Sequence, residues 1–105
     1  MIFSWLNTKA VDAFVDEQVA DMLRRNPPAA ATRKADDKLR KTHDQVLRRA
    51  VEFARAQRPN LYQKARLANR FKWALSDAGY ADEFVKEFAY ELAAVVGSAT
   101  SDREV

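Results

Sequence analysis

Apolar residues recur at spacings of three and four positions in four stretches of the chain, and each stretch predicts an amphipathic α-helix. The predicted helices span residues about 8–25, 34–57, 61–78 and 81–96. Helices of this kind with short connections can bury their apolar faces only against one another. The pattern therefore predicts an all-α fold: a small four-helix bundle of antiparallel helices in a single domain, residues 1–97, with a disordered C-terminal tail at 98–105.

Proline, asparagine and glycine mark the ends of these helices. The prolines at 27–28 and Pro59 follow the first and second helices, because proline cannot continue a helix. Asn60 is a good N-cap for the third helix. Gly79 and Gly97 follow the third and fourth helices, where a left-handed residue is expected.

The same spacing predicts which residues face the core. In the first helix they are Val11, Val15, Val19 and Met22, and in the second Leu39, His43, Val46, Ala50, Phe53 and Gln57. In the third they are Leu61, Ala65, Ala68, Phe71 and Leu75, widened by Leu67 and Ala74. In the fourth they are Phe84, Val85, Phe88, Leu92, Val95 and Val96.

Composition supports a folded domain and removes several chemistries. The chain has 105 residues, of which 48% are hydrophobic and 31% charged, so it can bury a core. Only two glycines and three prolines interrupt a composition rich in good helix formers. The absence of cysteine excludes disulfides, thiolate nucleophiles and cysteine-based metal sites.

The net charge of +3 conceals a strong segregation along the chain. Residues 24–72 carry fifteen Lys and Arg against four acids, whereas residues 1–23 and 73–105 are both net acidic. The beginning of the chain lacks the basic region and the cleavage site of a signal peptide, and no apolar run is long enough for a membrane span. We therefore expect a cytoplasmic protein with no membrane association, and the Ala- and Arg-rich composition is typical of a bacterium with GC-rich DNA.

Candidate catalytic chemistry is weak. His43 is the single histidine, and nothing pairs it with a nucleophile, so it is interpreted as a half-buried or surface polar residue. Glu83, Glu87 and Glu91 share one edge of the fourth helix, but they have no histidine near them in sequence. We expect no catalytic residue, no metal site, no cofactor and no small-molecule ligand.

A row of cations on the second helix is the first candidate binding feature. Lys34, Lys41, Arg48 and Arg55 recur every seven residues and form a candidate basic face. Such a row could follow a phosphate backbone. The alternative is a solvated helix surface supported by acid-before-base pairs four residues apart: Asp36–Arg40, Asp37–Lys41 and Asp44–Arg48.

The second candidate is a stripe on the outer side of the third helix, formed by Tyr62, Arg66, Arg70 and Trp73. Aromatic and arginine side chains together could anchor a protein partner or stack single-stranded bases. Alternatively, Trp73 could pack inside the molecule against the N-terminal segment that contains Phe3, Trp5 and Leu6.

These features favour a non-enzymatic helical protein that binds a protein partner, or itself, through a basic and aromatic surface on the second and third helices. The alternative function is nucleic-acid binding without sequence specificity through the same surface, and an enzyme ranks third.

Overall fold

The computed structural model describes residues 8–28 and 33–101, and side chains within 8–28 and 37–99. These ranges form four α-helices and contain no strand. They are α1 Lys9–Arg25, α2 Arg33–Gln57, α3 Leu61–Asp77 and α4 Asp82–Ser101. The predicted all-α four-helix bundle is confirmed.

Local sequence signals account for both ends of α3. At its start, the Gln63 amide donates to Asn60 Oδ1 at 2.8 Å, and the Asn60 amide donates to Gln63 Oε1 at 2.9 Å. This reciprocal arrangement satisfies two amides that the first turn of a helix leaves without partners. After its end, Gly79 has a φ of +99°, a left-handed conformation that a residue without a side chain adopts at little cost.

The fourth helix is longer than predicted. Gly97 does not end it, because α4 continues to Ser101 and Gly97 lies inside a turn of helix. Packing explains the difference: Val96 is buried and Ala99 packs against the core, so tertiary contacts outweigh the helix penalty of one glycine. The predicted tail at 98–105 is therefore wrong for residues 98–101, and residues 102–105 lie outside the described ranges.

Side-chain contacts define how the helices run. The Phe14 ring in α1 stacks on Phe53 in α2, with centroids 4.4 Å apart, while Arg49 in α2 donates to Gln18 at 3.1 Å. These pairs show that α1 and α2 are antiparallel. Phe71 in α3 contacts Phe88 in α4, across the short turn that reverses the chain. Consecutive helices thus alternate in direction, and α1 and α3 run the same way.

Contacts between the helices show which of them are adjacent in the bundle. The closest backbone approaches are between α3 and α4, between α2 and α4, and between α1 and α3. α1 and α2 meet through their longer side chains. α2 and α3 therefore occupy opposite corners of the bundle, although only three residues connect them.

The core is a continuous cluster that draws on all four helices. Phe71 is fully buried at its centre, with its ring 6.2 Å from that of Phe14 and 5.3 Å from that of Phe88. The other large, fully buried side chains are Phe88, Met22, Leu67, Leu75, Leu92, Val15, Val46, Val85 and Val96. Most of the predicted apolar stripes are confirmed.

Three predicted core positions are wrong. Leu61 is 82% exposed, and Ala65 and Gln57 also face solvent. Leu61 and Gln57 occupy the terminal turns beside the α2–α3 connection, where few neighbours can cover them. Leu67, predicted at the edge of the α3 core face, is fully buried, and Ala54 in α2 is buried although it was not predicted to face the core.

A buried polar cluster joins three parts of the chain at the end of α1. The Asn26 side-chain amide donates to the Thr42 hydroxyl at 2.8 Å, and the Tyr80 hydroxyl donates to the Asn26 main-chain carbonyl at 2.7 Å. Burial raises the pKa of Tyr80 above its ordinary value, because the charged phenolate is poorly solvated there.

Across the described residues, no helix combines the length and apolar character that crossing a lipid bilayer requires.

Candidate functional site

The buried face of α3 determines where its stripe of aromatic and basic residues points. Leu67, Phe71 and Leu75 are buried, and at 100° per residue the opposite direction is occupied by Tyr62 and Trp73. Tyr62 is 44% exposed and Trp73 is 62% exposed. The two aromatic members of the predicted stripe therefore lie on the outer side of the bundle, with Trp73 the more open.

The two arginines of the stripe point to the side, towards α1. Arg66 Nε donates to Asp12 Oδ1 at 3.1 Å, and its Nη2 donates to Oδ2 of the same carboxylate at 3.3 Å. Arg70 makes the same two-point contact with Asp16, at 3.1 and 3.0 Å. Two bidentate ion pairs thus fasten α1 to α3 in parallel register, since the planar guanidinium matches a carboxylate in this geometry.

The hydrogen bonds of these ion pairs favour the charged forms of Asp12, Arg66 and Arg70. The hydrogen bond from Arg66 lowers the pKa of the Asp12 carboxyl below its usual value, against the opposing effect of partial burial. The same hydrogen bond raises the pKa of Arg66, and the bond to Asp16 raises the pKa of Arg70. The opposite charges cancel locally, so the stripe presents little net charge to solvent.

A shallow groove of about 440 Å³ follows this outer face of α3. It is lined by Tyr62, Ala65, Arg66, Asn69, Arg70 and Trp73, and it is called the α3 groove below. The Lys72 ammonium lies 5.6 Å from the centre of the Trp73 ring, a cation–π contact that covers part of one ring face. All four residues of the predicted stripe line this groove.

The candidate basic face of α2 is less uniform than its sevenfold spacing indicates. Lys41, Arg48 and Arg55 are exposed, and none has a carboxylate within 4.0 Å among the described residues; the side chain of Lys34 lies outside the description. Acids occupy the positions between the cations, and the outward strip reads Asp37, Lys41, Asp44, Arg48, Glu52 and Arg55. Alternating signs along one helix face are typical of a solvated surface.

The acid–base pairs expected along α2 are not formed where the structure describes both partners. Neither Asp37–Lys41 nor Asp44–Arg48 comes within salt-bridge distance, and Asp36 lies outside the described side chains. Asp44 instead contacts His43 Nδ1 at 3.1 Å. Where the structure describes the side chains, acids and cations of this face therefore alternate without forming ion pairs with one another.

The two candidate surfaces are separate. The α3 groove lies beside α1, whereas α2 packs on α4 and occupies the opposite corner of the bundle. An outward residue on α2 and an outward residue on α3 consequently point away from each other. The basic and aromatic surface predicted across both helices is therefore two surfaces, which the structure does not bring together.

Sequence patterns did not reveal a second charged cluster, around Asp21 of α1. Arg24 and Arg25 contact its carboxylate from the same helix, and Arg49 of α2 approaches it to 3.6 Å. The first two contacts have helical spacing and could have been found in the sequence. The third joins residues that are far apart in the chain, and only the antiparallel register of α1 and α2 brings it about.

His43 lies at the seam between α2 and α4. Its Nε2 is 3.2 Å from Glu91 Oε2, and its ring packs edge-on against Phe88 at 5.2 Å. This agrees with the interpretation of a half-buried polar residue. Within the described part of the chain, no group of three or more histidine and acidic side chains is placed to hold a metal ion.

Comparison with known proteins gives no further guidance, since no protein-family model, no curated protein and no solved structure matches this chain. Its function is therefore inferred from the chemistry of the α3 groove and of the exposed face of α2.

Proposed function

We propose that this chain is a non-enzymatic cytoplasmic helical module that binds a protein partner, or a second copy of itself, through the α3 groove. The observation that carries the proposal is the 62% exposure of Trp73 at one end of a groove whose two arginines are already neutralised by α1. An exposed tryptophan leaves a large apolar area in water, and burying it against a partner recovers that free energy.

The charge balance of the groove favours a protein over a nucleic acid. Binding to phosphates gains affinity when each cation replaces condensed counterions. Arg66 and Arg70 instead hold Asp12 and Asp16, so an approaching phosphate would have to compete with two bidentate carboxylates. A neutral, partly apolar protein segment can cover the same groove without breaking those ion pairs, and Trp, Tyr and Arg are the residues that dominate protein interfaces.

Nucleic-acid binding without sequence specificity is the alternative. The observation in its favour is that Lys41, Arg48 and Arg55 are exposed on α2 and have no carboxylate partner within the described residues. Asp37, Asp44 and Glu52 weaken it, because each introduces repulsion for phosphate between two cations. In this arrangement nucleic acid would bind α2 alone and not the α3 groove.

Site-specific photo-crosslinking in living cells tests the proposal. Trp73 is replaced by a photoreactive phenylalanine analogue, and the matched control carries the same analogue at Tyr90, which is 68% exposed on α4. We expect a discrete adduct from position 73 and none from position 90. An adduct of twice the mass of the chain would identify self-association.

The identified partner is then purified and titrated against the wild-type chain. We expect Trp73→Ala to weaken binding by at least tenfold, Tyr90→Ala to leave it unchanged, and salt to have little effect, because the contact is mainly apolar. Equal adducts from both positions, or binding that is indifferent to Trp73→Ala, would overturn the proposal.

A further inference from the structure

The chain enters α1 beside the α3 groove. α1 and α3 are parallel, and Asp12 contacts Arg66. Thr8 and Tyr62 each precede those residues by four positions, so they lie at the same level of the bundle. The Thr8 hydroxyl also donates to the Asp12 carboxylate at 3.2 Å, which holds the start of α1 at this place. Residues 1–7 are therefore attached next to the Tyr62 end of the groove.

The chemistry of residues 1–7, MIFSWLN, matches the groove. Ile2, Phe3, Trp5 and Leu6 are large and apolar, and no residue of the segment has a charged side chain. The groove offers two aromatic side chains and a locally balanced set of charges. A segment without charged side chains can cover it and leave the ion pairs to α1 intact, which an acidic or basic segment would disturb.

The length of the segment also fits. Tyr62 and Trp73 are eleven residues apart on one helix, which corresponds to roughly 17 Å along the axis. Seven residues in an extended conformation reach at most about 25 Å. The segment is therefore long enough to run from the start of α1 along the whole groove to Trp73.

We propose that residues 1–7 dock in the α3 groove of their own chain and act as an intramolecular competitor of the partner. The competition rests on the function proposed above, whereas the docking does not. A short tether gives the segment an effective concentration on the order of 1 mM at the groove. The partner's apparent affinity then falls in proportion to the fraction of molecules in which the groove is open.

A fluorescence experiment on the full chain tests the docking without any partner. The chain has no cysteine, so Ser4→Cys provides a single labelling position for a bimane, which quenches tryptophan at short range. Trp5→Phe leaves Trp73 as the single tryptophan. We expect the label to reduce Trp73 emission at least threefold, to the same extent at all protein concentrations.

The control places the bimane at Glu52→Cys, an exposed position on α2 at the opposite corner of the bundle. We expect little quenching from it. Phe3→Ser with Leu6→Ser should restore Trp73 emission in the Ser4→Cys chain, because the segment loses its apolar contacts. Quenching from position 4 that does not exceed the control, or that survives the two serine substitutions, would overturn the docking.

The competition has its own readout. In the crosslinking experiment at position 73, Phe3→Ser with Leu6→Ser should increase the yield of the partner adduct at least twofold, because more molecules present an open groove. An unchanged or lower yield, together with strong quenching from position 4, would refute the competition and leave the docking standing. Strong quenching with no partner adduct would refute the proposed function alone.

Discussion

At the C-terminal end of α1, the side chain of Tyr80 links two segments that are distant in the sequence. Tyr80 is 7% exposed, and its hydroxyl donates to the Asn26 carbonyl. Tyr80→Phe keeps the ring but leaves that carbonyl without a donor, so we expect a loss of about 1–2 kcal/mol in the free energy of unfolding. Urea denaturation measures it. Tyr90→Phe, which changes an exposed phenol, should have almost no effect, and equal effects from both would contradict the role of this hydrogen bond.

The Tyr80 phenol also predicts how stability changes in alkaline solution. Burial raises its pKa in the folded state above that in the unfolded chain. Its contribution to stability is full below about pH 10, where a free tyrosine begins to ionise, and is lost as pH rises through the higher folded value. The wild-type chain should therefore lose stability above pH 10 more steeply than Tyr80→Phe in parallel denaturation curves. Parallel losses would contradict this.

The two glycines should respond to alanine in opposite directions. Gly79 has a φ of +99°, which strains any residue with a Cβ, so Gly79→Ala should cost about 1 kcal/mol or more. Gly97 lies within α4, and a Cβ added there meets no atom within 4 Å, so Gly97→Ala should stabilise the fold by about 0.5–1 kcal/mol. Thermal unfolding of both variants checks the signs. Destabilisation by Gly97→Ala would contradict the extension of α4 to Ser101.

At the scale of the helices, the Asp12–Arg66 contact makes the α1–α3 interface sensitive to acid. The pKa of Asp12 is lower in the folded state than in the unfolded chain. Its stabilising effect is therefore full above about pH 4, where a free aspartate titrates, and is lost as pH falls through the lower folded pKa. We expect Asp12→Asn to be less stable than wild type at pH 7, with the difference shrinking below pH 4.

Urea denaturation between pH 7 and pH 3 measures this difference. The matched background is Arg66→Gln, which removes the main cause of the lowered pKa. In that background the acid-dependent part of the Asp12→Asn effect should become smaller. A difference that stays constant with pH in the wild-type background would contradict the account of the α1–α3 ion pairs.

Most features of the individual helices were predictable from the sequence, because local signals determine them. Asn60 caps α3, and Gly79 follows its end in a left-handed conformation, as their chemistry indicates. The exact direction of the buried face of α3 was less predictable: Leu67, expected only at its edge, is fully buried and Ala65 is exposed, because α3 packs on both α1 and α4. Which arc of a helix is covered depends on where its neighbours lie, and apolar spacing cannot supply that information.

In the whole folded molecule, charges that are segregated along the chain are brought together. The basic central region and the acidic α1 meet across the bundle, where Arg66 and Arg70 bind Asp12 and Asp16 and Arg49 approaches Asp21. The residues that form the stripe on α3 could be predicted from the sequence. The neutralisation of its arginines was not, because their partners are 54 residues away in the chain.

We infer that the ion pairs to Asp12 and Asp16 prevent Arg66 and Arg70 from binding nucleic acid, and Trp73 emission tests this inference. In a Trp5→Phe chain, single-stranded RNA and duplex DNA are titrated at low and physiological salt, and the same titrations follow after Asp12→Asn with Asp16→Asn. We predict no response from the first chain and salt-sensitive quenching from the second, whose arginines lack their carboxylates. Quenching of the first chain that salt reverses would contradict the claim and favour nucleic-acid binding at the groove.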